Sequence, residues 1–353
     1  MDIERLKEQI KFNCNVSDAK FWGYYSICGL LMRLRELYRS EKNLAPWEIT
    51  PKQEISEWIA ATEAQWKSLE HAAFCSIEVG AASYDPFDVD GLNAVLGREG
   101  LIYGGGYGRF NKPTFFLAAL ERKRELYDYS VYYSGKEFCR DLSTSVAMLQ
   151  GRCIFMRLDA LKILLWDKFL ELGGKRFGGL LKEAFSSCGI VGHETPEELS
   201  DRIEALSSEV SELFVLHEAG EAFEDEYMDE WLQVLSQNAD RASEFYMRGV
   251  KDLLADTSEK GPLEYIIEDR KRYLLNFHMA FLDGTRKELF PEILNAFQRF
   301  TENGEWELLE DARRAGYKRA QELRASILDL WRRGEVGKVV SAIKESLANS
   351  PSL

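Results

Sequence analysis

A chain of 353 residues with 45% hydrophobic and 29% charged side chains is long enough for one large domain or two, and its composition is far from that of a disordered polypeptide. Its 59 acidic residues outweigh 45 basic ones, for a formal charge of -14, which disfavours nucleic-acid partners because that affinity comes from neutralising phosphates with basic side chains. The longest apolar runs, 27–32 and 163–166, fall far short of the roughly 20 residues that a bilayer span requires, so no membrane association is expected.

The opening M-D-I-E-R-L-K-E-Q-I alternates charges at helical spacing and lacks the apolar core of a signal peptide. A cytoplasmic location is the expectation. The six cysteines, Cys14, Cys28, Cys75, Cys139, Cys153 and Cys188, are scattered without a C-x-x-C pair and read as reduced, mostly buried thiols. Tyr24, Ile27, Leu31, Leu34 and Tyr38 mark an amphipathic helix. Beside its stripe stand Arg33, Arg35 and Arg39, able to bind an anionic ligand or an acidic partner, or to pair with Glu36 and neighbouring helices. Thr50-Pro51-Lys52-Gln53 reads as a capping box, and apolar residues at three- and four-residue steps from 55 to 77 predict a helix of about seven turns behind it. The stretch S-Y-D-P-F-D-V-D-G is a turn; as a calcium loop it fails, because the first ligand position would be Pro86 and the twelfth Gly97.

Between 97 and 158 the pattern changes to short β-rich runs at 101–103, 114–120, 129–133 and 153–156, which predict a small antiparallel sheet with E-R-K-R-E as one turn. Residues 114–126 also fit a helical period. Gly104-Gly105-Gly106-Tyr107-Gly108 reads as a flexible hairpin loop rather than an anion cradle completed by Arg109 and Lys112, since the G-K-[ST] ending of a phosphate loop is missing. From Asp159 the helical pattern returns, with glycine turns at 173–174 and 178–179 and a second capping box at Thr195-Pro196-Glu197-Glu198. Four or more further helices follow, broken near 257–262, 283–284 and 302–305. The expected fold is mainly α (α+β), a helical bundle-like protein with a small antiparallel sheet in the middle third. Its segments are 1–82 (helical), 83–158 (loop and sheet) and 159–353 (helical), which one domain could unite.

Chemistry concentrates at His217. The apolar stripe Ile203, Leu206, Val210, Leu213 and Phe214 continues onto His217 and Glu221, so both face inward one turn apart. An imidazole and a carboxylate at i and i+4 can share a cation. His217-Glu218-Ala219-Gly220-Glu221 resembles the zincin motif H-E-A-G-H, which implies His217 as a ligand and Glu218 as the base acting on metal-bound water. Glu221 replaces the second histidine of that motif. Further donors could come from His278, in an apolar stretch, and from His71 and Glu78, read as sharing one helical face with Phe74 and Cys75. Such a set suits zinc or iron between helices. The Glu-x-x-His pair of ferritin-like di-iron proteins is absent. The plainer alternative is an interior hydrogen bond for His217, with Glu218, Glu224, Asp225, Glu226, Asp229 and Glu230 as a solvated acidic face. Cys75, four residues after His71, could form a thiol and base pair.

The run F-N-C-N-V-S-D-A-K-F-W-G-Y-Y-S-I-C-G-L-L-M-R-L-R-E-L-Y-R, with G-Y-G-R-F-N-K-P-T-F-F-L-A and S-G-K-E-F-C-R-D-L, resembles a family of bacterial proteins of no assigned function. The likeness implies a bacterial cytoplasmic protein and no particular reaction. The functional expectation is a metal-binding protein, a metal-dependent hydrolase or oxidase with a His/Glu site. The alternative is a non-enzymatic acidic helical module that binds a protein partner or assembles with itself.

Overall fold

The computed structural model describes residues 2–108, 111–172, 179–224, 230–231, 233–234, 241–282 and 284–348. Arg109, the glycines at 173, 174 and 178, Asp225, Glu226, Asp229 and Asp283, all named above, lie outside the described residues. The chain divides into two compact units, Met1–Trp166 and Asp167–Leu353.

In the first unit α1 (Ile3–Phe21) is opened by Asp2, whose carboxylate accepts from the Arg5 amide at 3.1 Å. Leu6, Ile10 and Cys14 bury one stripe of it in the main core. Val16 and Ala19 are also buried, and the polar positions Asn13, Asn15, Ser17 and Asp18, buried with them, act as connectors. The Asn13 side chain donates to the Cys75 carbonyl (2.9 Å) and accepts from the Cys75 amide (2.8 Å), while Gln9 does the same for the backbone of Glu78 (3.3 and 2.7 Å). Asn15 accepts from the Trp66 indole at 3.2 Å. Two side-chain amides thus satisfy backbone groups of Cys75 and Glu78 on the side turned toward α1.

That capture corrects the long helix expected to reach Ile77. After α2 (Ile27–Lys42), α3 spans only Lys52–Leu69; residues 70–76 are turn and coil, and Ile77–Val79 form β1, which pairs antiparallel with β2 (Ala82–Tyr84). His71, Cys75 and Glu78 therefore do not share a helical face. The capping box at Thr50 is also absent. Pro51 itself occupies the cap position, one residue later than expected, so the Thr50 hydroxyl is out of register with the first amides and is buried without a partner among the described residues, while Gln53 bonds Glu57 at 2.9 Å. The 85–88 stretch is a turn: Asp85 accepts from the Phe87 amide, and Asp88 caps a short helix, α4 (Val89–Leu96), which the loop reading missed.

The main sheet has five strands, β3 (Leu101–Tyr107), β4 (Pro113–Leu126), β5 (Tyr129–Arg140), β6 (Ala147–Gln150) and β7 (Cys153–Arg157), in the order β3-β4-β5-β7-β6. It is mixed, not antiparallel throughout. The chain leaves β5, makes the β6–β7 hairpin at the edge, and lays β7 parallel to β5 with Val131 opposite Ile154. Glu121 to Glu125 lie inside β4; the turn is at Tyr127, with φ of 52°. The glycines at 104 to 106 are strand residues, opposite Phe116, Phe115 and Thr114, so the hairpin-loop reading fails. A Cβ on Gly104 would stand 2.0 Å from the Phe116 ring and one on Gly105 2.6 Å from the Pro86 carbonyl. Glycine here makes room for large neighbours. The fold is mainly α plus β, but it is not a helical bundle, because the first unit is organised around this sheet. Helix α5 (Leu158–Leu172) follows β7.

The second unit is helical: α6 (Leu180–Ser187), α7 (Pro196–Phe223), α8 (Arg241–Thr257), α9 (Pro262–Glu268), α10 (Arg272–Phe281), α11 (Gly284–Leu289), α12 (Pro291–Asn303), α13 (Trp306–Arg332) and α14 (Val339–Ala348). The capping box at Thr195 forms as the sequence predicts, Glu198 donating its amide to the threonine hydroxyl at 3.2 Å and accepting from the Thr195 amide at 2.9 Å. Gly304, with φ of 73°, ends α12 at the break expected near 302–305. Long α7 and α13 pack on α8. No helix among the described residues is long and apolar enough to cross a membrane.

Candidate metal centre

Helices α7 and α8 meet at a glycine. A Cβ on Gly220 would sit 2.3 Å from the Ala255 carbonyl oxygen, so the two backbones approach more closely than any side chain would allow. One turn along α7 from this contact is His217, and on either side of Ala255 along α8 stand Asp252 and Asp256. The close crossing brings the three together.

The His217 imidazole is held at both nitrogens. Nδ1 lies 2.7 Å from Asp256 Oδ1, and Nε2 faces Glu221 Oε1 at 3.5 Å and Asp252 Oδ1 at 3.9 Å. Glu221 turns its other oxygen to the Lys251 ammonium at 2.6 Å. Arg286 approaches the second Asp256 oxygen at 3.9 Å. Among the described residues, His217, Glu221 and Asp252 converge as donors, with ligand atoms all within 4.8 Å of one another. Side-chain exposures of 18%, 10% and 26% put the opening on the Asp252 side.

Charge determines protonation here. Burial alone would lower the His217 pKa, but Asp256 and Glu221 outweigh it and raise it well above the ordinary histidine value. Burial likewise works against ionised Glu221 and Asp256, yet Lys251 and His217 bring the first down to about 2, and His217 brings the second down to about 2. Burial pushes the Asp252 carboxyl upward, against the pull of His217, Arg286 and Lys251. Without a cation, then, His217 is an imidazolium among carboxylates.

The other expected ligands are not among the converged donors of the described residues. His278, on α10, is 6% exposed, and burial pushes its imidazole down to about 4 against the pull of Asp256. Its Nε2 has no hydrogen-bond partner among the described residues, and it is not among the converged donors. His71 is exposed in the turn after α3, and Glu78 accepts from Ser83 at 2.6 Å; both belong to the first unit. Glu218 is half-buried, and its charge acts on Lys251. Glu224, expected on a solvated face, is instead clamped by Arg324 at 2.8 Å and by the Tyr317 hydroxyl at 2.5 Å, and Glu230 is paired with Arg332. Asp252 and Asp256 escaped the sequence reading, which searched outward from histidines. Their signal was acids at i and i+4 on a strongly amphipathic helix.

Residues 5–157 match the N-terminal domain and residues 162–350 the C-terminal domain of a family of unknown function, DUF6866. No curated protein and no solved structure matches the chain detectably.

Proposed function

We propose, for a chain that belongs to the DUF6866 family along nearly its whole length, that the second unit binds a divalent transition-metal ion through His217, Glu221 and Asp252. One observation carries this reading: Asp256 engages Nδ1 at 2.7 Å, which leaves Nε2 turned toward two carboxylate oxygens at 3.5 and 3.9 Å. A carboxylate behind a histidine is how metal sites fix the ring and raise its basicity. Donors bound at about 2.1 Å in a tetrahedron stand roughly 3.4 Å apart, close to these separations. Lys251 pairs with Glu221 and Arg286 approaches Asp256, while Asp252 and Glu221 both turn an oxygen toward Nε2. One histidine and two carboxylates suit zinc or iron and leave coordination positions for water. Zinc held by these residues would supply hydrolytic chemistry, with Glu218 as the residue that would accept a proton; iron would supply oxidation only with an external oxidant such as dioxygen.

Titrating chelator-treated, tag-free protein with zinc or iron(II) is expected to give one ion per chain. Binding should release about one proton, because the His217 imidazolium must deprotonate to ligate. His217→Gln and Asp252→Asn should each abolish it. Absence of saturable binding, with His217→Gln merely less stable, would mean a structural imidazolium and overturn the proposal.

A second reading, docking of a protein partner or a second copy, is favoured by the exposure of Trp22, Ile27, Leu31 and Met32 in and before α2. Light scattering on the full chain should then find a dimer that Leu31→Glu dissociates. A monomer at all concentrations would remove self-assembly.

A further inference from the structure

A pocket of about 310 Å³ opens in the first unit, independent of the metal centre, lined by Phe21, Tyr25, Arg33, Lys112, Thr144 and Ser145 among others. Its volume is that of a small-molecule site. What it recognises follows from which of its charges are already matched. Lys112 is spent: its ammonium lies 3.0 Å from Asp18 and 3.2 Å from Asp141, and its remaining reach is to the Pro113 carbonyl at 3.3 Å. Arg33 is not. Its Nη1 donates to the Leu142 carbonyl (2.9 Å) and the Thr144 hydroxyl (2.8 Å), its guanidinium lies 4.7 Å from the Tyr25 ring centre, and no carboxylate among the described residues pairs with it. Its neighbours on α2 are engaged otherwise, Arg35 with Glu36 and Arg39 with the carbonyls of Ala45, Pro46 and Glu48.

The loop that completes the pocket, 143–145, rests on more positive charge. Arg140 and Arg157 are both buried and share the single carboxylate of Glu137, at 3.4 and 2.6 Å. They draw the Ser143 and Ser145 carbonyls inward at 3.4 and 3.0 Å, and Arg140 Nη2 has no acceptor among the described residues. Two cations per carboxylate beneath the loop, with unmatched Arg33 beside it, offset the single surplus negative charge around Lys112. The pocket is therefore positive on a chain of formal charge -14. Phe21 and Tyr24 stack at 5.6 Å on the remaining wall.

We infer that this pocket binds a small aromatic anion, a carboxylate or phosphate ester whose acidic group pairs with Arg33 and hydroxyls of the 143–145 loop, while its ring lies against Phe21, Tyr24 and Tyr25. An arginine fork gives an oxyanion two parallel hydrogen bonds, and an aromatic wall gives a ring its contact area.

Calorimetric titration of the full chain with phenyl phosphate and with benzoate tests this, with inorganic phosphate and phenol as controls. At least one of the two aromatic anions is expected to bind saturably at about 1 mM or tighter, and each control at least tenfold more weakly. Whichever of the two anions binds names the acidic group. Arg33→Gln should weaken binding at least tenfold, with Arg33→Lys intermediate. Should Arg33→Gln fail to fold, Ser145→Trp, which fills the pocket from its exposed loop, must abolish binding. No saturable binding by either anion up to roughly 10 mM overturns the inference, as does undiminished affinity in folded Arg33→Gln. Equal affinity for phenol overturns the anionic assignment, and equal affinity for inorganic phosphate the aromatic one.

Discussion

Lys112→Met should cost the first unit about 3–5 kcal/mol at pH 8, the usual penalty for removing one partner of a buried ion pair. Lys112 is 5% exposed, and the two carboxylates it separates are each 1% exposed. Both acids also accept backbone amides, Asp18 from Leu142 and Asp141 from Phe115 at 2.6 Å and Ser143 at 2.5 Å. These bonds anchor the strand start at Pro113 and the chain after β5 to α1. With methionine in place of the ammonium, two anions would face each other in a low-dielectric interior, and one must take up a proton. Hydrogen exchange at α1 amides, read by mass spectrometry, reports this unit separately from the other. A variant with wild-type protection at pH 8 would show that the charge is dispensable.

The pH dependence of the same cluster has a definite sign. Burial pushes the Asp18 carboxyl up from its ordinary value to about 7, against Lys112 and the Leu142 amide, with Asp141 adding to the rise. The folded chain thus holds a proton that the unfolded chain gives up near pH 4. A folded pKa above the unfolded one stabilises most at low pH, and that contribution fades as pH rises through about 7. Asp18→Asn should remove this slope between pH 4 and 7, and Lys112→Met should recover stability as the pH falls toward 5.

Local order was legible at several places where one segment decides it, though not at Thr50, whose capping box does not form. The Thr195 cap, the α12 break and the apolar stripe of α7 depend on residues within a few positions of one another. The long helix through Ile77 was not legible, because its periodicity was real while the competing partners, Gln9 and Asn13, lie more than 60 residues away. The strand assignment of Phe115 to Leu120 turned on the same kind of distant fact. F-F-L-A-A-L satisfies either period, and it is a glycine of another strand, Gly104 opposite Phe116, that leaves room for the Phe116 ring. The parallel β5–β7 pair is a matter of strand order, which no local pattern encodes. At the candidate site, the inward pair His217 and Glu221 could be read from α7 alone. Asp252 and Asp256 required knowing which face of α8 turns toward them.

That facing depends on Gly220, and Gly220→Ala is expected to reverse an ordinary rule. In most helix interiors alanine is favoured over glycine by up to about 1 kcal/mol. Here the added methyl would lie 2.3 Å from the Ala255 carbonyl oxygen and 2.9 Å from its carbon, and backbone cannot rotate away as a side chain tip can. Helix α7 must lift off α8, which forfeits packing along both, so a loss of about 1–3 kcal/mol or more is expected in place of a gain. The separation would also lengthen the 2.7 Å contact between His217 and Asp256, the bond that fixes the ring. Hydrogen exchange on α7 and zinc affinity should therefore deteriorate together in this variant. His217→Gln, by contrast, should remove the ion while leaving the helix crossing intact. An alanine variant as stable as the parent would mean that the helices can slide, and that Gly220 does not set their approach.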